Sequence, residues 1–236
     1  MTDTRILAIE TSSPRGAVAL AESDRVLVEE RFSAVEGHGR DLLPVVERLC
    51  RAQGWMPGTI NECHLSIGPG SFTGLRVAVA FARHLALAVG ARIVPVPTLD
   101  VLAANVLVRT DAPPNVAVML DAKRAQVFGA VYRVRADWCE PFAPAVVVEP
   151  ARLLADEPRP IAALGEGTRH HLESLRKLGV VVLSDEFNVP SAAMVHRLGR
   201  RIAAAGGYVG AESLVPLYVR RPEAEELWEK RQASNP

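Results

Sequence analysis

The sequence predicts an α/β protein built from two related lobes, and three observations lead there. Each half opens on a β-rich run ending in an acid, "RILAIE" at Glu10 and "VAVMLD" at Asp121. Each run is followed by a second strand and then by helix–strand alternation, which fits paired α/β units better than one doubly wound sheet. Between the halves, "DAPPN" (Asp111 to Asn115) is dense in turn formers and is the best place for a boundary. The expected division is residues 1–108 and 109–236, with the last helical tail packing back on the first lobe.

The elements follow in order. "RILAIETS", "GAVALAE" and "RVLVEERFS" are three closely spaced β-rich runs and predict a meander. "GRDLLPVVERLCRAQG" places Leu42, Leu43, Val46, Leu49 and Cys50 at helical spacing. Pro44 fits best in its first turn, where a missing N–H costs little, and Gly54 is a plausible stop. "ECHLSIG" predicts a fourth strand, Ser71 caps a long helix running to Val89, and "RIVPVPT" is a fifth strand before a short helix over Leu99 to Val108. In the second half, "VAVMLDA", "QVFGAVYRVR", "AVVVEP", "IAALGEG" and "VVVL" read as strands. "TRHHLESLRKLG" and "SAAMVHRLGRRIAAAGG" read as helices, and "LVPLYVRRPEAEELWEKRQ" ends in a charged helical tail.

Composition excludes several classes of function. Basic and acidic residues number 27 each, so the chain lacks the cationic excess of a dedicated nucleic-acid binder. No run of about 18 uncharged apolar residues appears, and no leader-like segment precedes "TRILAIE", so the expected location is the cytoplasm, away from any membrane. Cys50, Cys63 and Cys139 form no CxxC pair and predict buried, reduced thiols. The six histidines (His38, His64, His84, His170, His171 and His196) contain no HxxxH or HExxH spacing, so no metal is expected.

The most distinctive stretch is "SIGPGSFTGLRVAVAFARHLALAVG". Gly68-Pro69-Gly70-Ser71-Phe72-Thr73-Gly74 is not a P-loop, because no Gly-Lys-Ser/Thr follows. It misses the dinucleotide fingerprint by one position, with Thr73 where the third glycine belongs. It is not a nucleophile elbow either, since Pro69 and Thr73 stand where glycines would flank Ser71. What remains is an anion site at a helix N-terminus or a tight strand-to-helix turn. Glu10, Thr11 and Ser12, with Gly68, Gly70 and Ser71, are the candidate phosphate-approaching groups, and a plain strand-ending turn explains the first three as well. The helix that follows carries an Ala78, Ala82, Ala86 stripe beside a Val77, Phe81, Leu85, Ala88 stripe. It is apolar nearly all round, so two surfaces must cover it, and a partner helix is the expected second one. Arg197, Arg200 and Arg201 form a basic patch that reads as a solvated helix face, less often as an RNA or protein contact.

The segments "ILAIETSSPRGAVAL", "IGPGSFTGLRVAVAFARHLA", "LDAKRAQVFGAVY" and "LVPLYVRRP" together resemble the TsaB (YeaZ) family, in order and over almost the whole chain. That family is the dimerisation subunit of the bacterial tRNA threonylcarbamoyladenosine machinery. The resemblance implies an actin/Hsp70-like two-lobed fold without catalysis of its own. It implies a TsaD-like catalytic subunit and a TsaE-like ATPase as partners, self-association when alone, and tRNA met only through the complex. No tightly bound cofactor is implied, only ATP or ADP at the complex interface. The partner surface so implied is a helical bundle using Leu42, Leu43 and Val46 with Leu75, Ala78, Val79, Ala82, Arg83 and Ala86. In the TsaD-like partner a His-x-x-x-His metal motif lies where this chain has Thr98 and Leu102, and neither supplies an imidazole. The family's first acid is usually Asp, and here it is Glu10. Two other readings are a sugar- or acetate-kinase-like phosphotransferase, with Glu10 and Asp121 holding Mg²⁺, and a metalloprotease. The first lacks a glycine-rich turn after Asp121, and the second lacks the histidine pair.

Overall fold

The computed structural model describes residues 3–33, 38–159 and 161–219. The first five-stranded sheet has the order β3-β2-β1-β4-β5, from β1 (Arg5–Glu10), β2 (Arg15–Glu22), β3 (Arg25–Ser33), β4 (Glu62–Ser66) and β5 (Arg92–Val96). β1 pairs antiparallel with β2 and parallel with β4. The second sheet repeats this plan around β6 (Asn115–Asp121). β6 pairs antiparallel with β7 (Val127–Val134) and parallel with β10 (Ala162–Leu164), which pairs with β11 (Val181–Val182). β8 (Cys139–Pro141) and β9 (Val146–Val148) both lie along β7. The internal repeat that residue identity left open is therefore plain in the topology.

Period-two alternation decides how helices cover the first sheet. Large side chains, Leu7, Ile9, Val18 and Leu20, face α1 (His38–Ala52) and α2 (Phe72–Val89). Small ones, Ala8, Ala17 and Ala19, face the other way and let a helix lie close. That helix is α6 (Ala192–Ala204), which arrives from the far end of the chain. Its first turn is tied down by Glu29 of β3, whose Oε1 accepts the N–H groups of Ala192 at 2.8 Å and Ala193 at 3.3 Å. Its arginines reach across to the second lobe, Arg197 donating to the Asp137 carbonyl and Arg201 stacking on Trp138. The basic patch is thus a clasp between lobes, with Arg200 paired to Asp24 of the β2–β3 turn.

The boundary at 108/109 needs correction in space. α6 and the strap after it belong to the first sheet: Val209 bridges Ile93, and Leu217 N–H bonds the Ile67 carbonyl at 2.7 Å. Conversely α3 (Thr98–Ala103) sends Leu99 and Leu102 into the core of the second sheet with Val116 and Val118. α4 (Pro150–Leu153) and α5 (Leu172–Lys177) cover its opposite face, where Met119 and Leu154 are buried. The charged tail expected to pack back on the first lobe lies outside the described residues.

Local details mostly follow the sequence. Ser71 Oγ caps α2 by accepting from Gly74 N–H at 3.2 Å, and Gly90 ends it in the left-handed conformation. Gly54 follows α1 at φ +66°. Pro44 differs: α1 begins at His38, so the proline falls in the second turn rather than the first, on an exposed face where water can serve the carbonyl it leaves without a donor. "TRHHLESLRKLG" is a 3-10 turn (Glu166–His171) before the shorter α5, not one helix. The three cysteines are free and buried.

Candidate functional site

Two places follow from the sequence motifs: the cleft between the lobes and the outer surface of α1 and α2. The cleft is a cavity of about 240 Å³. Ser12, Ser13, Gly70 and Ser71 line it from the first lobe, Asp121, Glu166 and Asn188 from the second, with Thr98 and Leu102 between.

Of the candidate phosphate groups Ser12, Gly70 and Ser71 line the cleft, but the donors of Thr11 and Ser12 and the N–H groups of Gly68 and Ser71 already have partners. Ser12 donates both its N–H, at 2.6 Å, and its hydroxyl, at 2.5 Å, to Glu10 Oε1. Thr11 donates its hydroxyl to the Gly74 carbonyl at 2.9 Å and its N–H to Ser66 Oγ at 3.4 Å. Ser71 N–H bonds the Ser12 carbonyl at 2.7 Å. Gly68 N–H bonds Thr98 Oγ1 at 3.1 Å, and the Thr98 N–H returns to the Gly68 carbonyl. Gly70 is needed for closeness, because a Cβ there would lie 2.3 Å from the Ser12 carbonyl oxygen. The glycine turn therefore welds β1 to the start of α2, and the Gly68–Pro69 bond within it is cis.

The electrostatics point the same way. Glu10 is fully buried, and burial raises its pKa, opposed by the Ser12 and Ser66 hydroxyls and the Ser12 N–H. Asp121 is held below the usual carboxylate range chiefly by its hydrogen bond from Lys123, whose ammonium sits at 2.7 Å. Glu166 adds a second carboxylate to the far wall, and no glycine-rich turn follows Asp121. Lys123, Arg124 and Ala125 instead form a tight hairpin, all three at positive φ. Thr98 has its hydroxyl committed to Gly68, and Leu102 is buried and has no ligand atom.

On the helix pair, the structure corrects the expected interface. Leu42 and Val46 of α1, and Leu75, Ala78, Val79 and Ala82 of α2, are buried in the chain's own core. Ala86 packs half-buried against the same core. The alanine stripe is small because α2 lies close on its own sheet, not because a partner helix approaches it. Arg83 is also internal: its guanidinium donates to the carbonyls of Leu214 at 2.6 Å and Glu212 at 3.3 Å, pinning the strap that follows α6. Of the expected set, Leu43 alone points well out, at 60% exposure.

What α1 and α2 do present is an apolar groove of about 390 Å³ between them. Val46, Cys50 and Trp55 form its floor, Phe81 and Leu85 its α2 wall, and Leu43 and Met56 its rim. Met56 is 69% exposed, and Leu87, further along α2, is 78% exposed. Glu47 and Arg51 pair across the α1 edge at 2.6 Å. The sequence pointed to Phe81 and Leu85 in an apolar stripe needing cover but left them out of the interface set, and it missed Met56 and Leu87 as surface contributors. Their signal was phase: Leu87 falls out of register with the Leu75, Ala78, Ala82 stripe, so one of the two had to face outward.

Two α/β lobes of one topology, facing each other across a cleft and exchanging α3 and α6, define an actin/Hsp70-like fold. A family model described as "TsaD: tRNA N6-adenosine threonylcarbamoyltransferase" matches residues 32–174, more than half the chain. The chain is 28% identical to the tRNA threonylcarbamoyladenosine biosynthesis protein TsaB of Bacillus subtilis (strain 168), over 94% of this chain and 97% of that one. It is equally similar, at 28%, to the TsaB protein of Escherichia coli (strain K12), over 96% of this chain and 97% of the other. YeaZ from Pseudomonas aeruginosa superposes with a TM-score of 0.77 at 24% identity, covering 91% of this chain and 99% of that structure. The chain belongs to the family of that matching model, and within it to the TsaB/YeaZ group.

α2 is the one described helix long and apolar enough to cross a membrane, and its buried residues pack on the first sheet.

Proposed function

We propose that this chain serves tRNA threonylcarbamoyladenosine biosynthesis as a non-catalytic subunit. It supports threonylcarbamoyl transfer to N6 of adenosine 37 in tRNAs that read ANN codons, by binding a TsaD-like catalytic subunit assisted by a TsaE-like ATPase. The observation that carries this reading is the groove between α1 and α2, walled by Phe81 and Leu85 and rimmed by outward Leu43 and Met56. Such a patch seeks another apolar surface, and an equivalent helix pair on the partner would complete a bundle. A second copy of the chain substitutes when the partner is missing, through the same face. ATP or ADP belongs at the joint with the partner, because the chain's own cleft has its loop donors engaged internally. The tRNA is met through the complex, in keeping with equal numbers of basic and acidic residues.

Neither alternative gains support from the residues present. A phosphotransferase needs metal-binding carboxylates and a phosphate loop in both lobes, whereas no glycine-rich turn follows Asp121. A metalloprotease needs imidazoles where Thr98 and Leu102 stand. The test is reconstitution: the purified chain, a TsaD-like subunit and a TsaE-like ATPase, with tRNA, threonine, bicarbonate and ATP plus the enzyme that makes the threonylcarbamoyl donor. Modification that requires the chain, with none from the chain and donor alone, is expected. Modification at full rate without the chain, or by the chain alone, overturns the proposal.

A further inference from the structure

Beneath α6, at the end of the first sheet away from the cleft, lies a buried polar cluster that the proposed function does not use. Glu62 and His64 project from β4 and are almost wholly buried, as is His196 of α6. His64 Nε2 donates to Glu62 Oε2 at 3.0 Å. Glu62 Oε1 accepts from Tyr208, at 2.9 Å, and from Arg92, at 2.5 Å, while Arg200 stands 3.9 Å from its other oxygen. Burial alone would raise the Glu62 pKa, but the hydrogen bonds from His64 and Tyr208, with the charge of Arg92, bring it to about 2. The imidazoles of His64 and His196 stack with centroids 5.9 Å apart and planes within 16°. His196 Nε2 donates to the Ser23 carbonyl at 2.9 Å.

Space is short on the α6 side. A Cβ at Gly199 would lie 2.3 Å from His64 Nδ1, and that nitrogen has no hydrogen-bond partner. The charged and titratable groups that act on His196 are His64 from β4, Arg200 one turn along α6 and Asp24 of the β2–β3 turn, beside the Ser23 carbonyl. Asp24 is itself paired with Arg200 at 2.9 Å. A second proton on His196 would thus sit buried, over a parallel imidazole and beside a guanidinium, with its nearest carboxylate already engaged.

We propose that the His64–His196 stack is an acid-sensitive catch for α6: protonation of His196 frees the helix from the first sheet while the rest of that lobe stays folded. Because α6 also clasps Asp137 and Trp138 of the second lobe, its release loosens the two lobes together. Burial, with His64 and Arg200 nearby, lowers the His196 pKa below 6.5, against the pull of the Ser23 carbonyl and Asp24. The sign follows: the docked state holds full stability above 6.5 and loses it as pH falls below, because the released helix takes a proton the docked one resists.

The test is hydrogen exchange of the full chain between about pH 7.5 and 5.5, corrected for intrinsic exchange, with α2 as the internal reference. Protection of α6 should fall severalfold relative to α2, with about tenfold the ceiling that one imidazole of ordinary value 6.5 can supply over this range. His196→Gln keeps a donor for the Ser23 carbonyl without titrating and should flatten the dependence. The idea fails if α6 and α2 lose protection in parallel, or if His196→Gln keeps the wild-type dependence. Should that variant not fold, an imidazole NMR titration of the wild type decides: a His196 midpoint at the free-histidine value overturns the catch, and a lower one supports it.

Discussion

The contrast between Ala82 and Leu43 turns the orientation of the α1–α2 pair into numbers. From the alanine stripe alone, Ala82→Glu should break partner binding and leave the fold intact. The structure reverses that. Ala82 has no exposed surface and lies in the core with Ala78 and Val79. Glutamate there adds atoms to a filled space, costing about 1–3 kcal/mol, and buries a charge with no partner, costing several more. The sum, about 5 kcal/mol, rivals the whole stability of a typical domain. At about 2–4 °C per kcal/mol for a chain of this size, the melting temperature should fall by more than about 10 °C. Leu43, 60% exposed on the groove rim, is the opposite case. Leu43→Glu should change stability by no more than about 0.5 kcal/mol. Yet it replaces a side chain worth about 1.5–3 kcal/mol when fully covered, so affinity for a TsaD-like partner should drop at least about tenfold. Paired melting curves and titration calorimetry on the two variants read both effects. An Ala82→Glu protein that melts near the wild type, or a Leu43→Glu protein that binds the partner undiminished, refutes the assignment of faces.

Other consequences can be checked on the isolated chain. Gly70→Ala puts a Cβ 2.3 Å from the Ser12 carbonyl oxygen and should lower stability by about 1–3 kcal/mol, read as a lower denaturation midpoint, without touching the α1–α2 groove. Glu10 has a raised folded pKa, so its contribution is fully present below 4.5 and is lost as pH rises through the folded value. Glu10→Gln cannot titrate and should therefore gain on the wild type as pH climbs from 4.5 toward neutrality, read from melting curves across pH; a constant difference contradicts the buried-acid account. Arg83→Met removes the donors that hold the Glu212 and Leu214 carbonyls, and should raise proteolytic cleavage of residues 210–218 severalfold while α2 stays protected. Cleavage unchanged in that variant means the strap is held by other contacts.

Much of the local structure was written in the sequence because its causes are local. Alternation set the strands, a serine set the start of α2 and a glycine its end, and Thr98 and Leu102 announced the missing imidazoles by identity alone. The two-lobed plan was legible too, from an acid-terminated strand opening each half. What tertiary structure alone decided is where non-local surfaces meet. α2 is apolar nearly all round, so its sequence carries too little asymmetry to orient it; the choice fell to the sheet, which took the small-residue face because alanines permit close approach. α6 is amphipathic wherever it lies, and no local feature says that it crosses to the first sheet to cover Ala8, Ala17 and Ala19. The donors of Thr11 and the N–H of Ser71 look free in the sequence, and only contacts across about sixty residues show them engaged. Periodicity fixes the phase of an element, whereas its partner is chosen by free energy summed over surfaces distant in the chain.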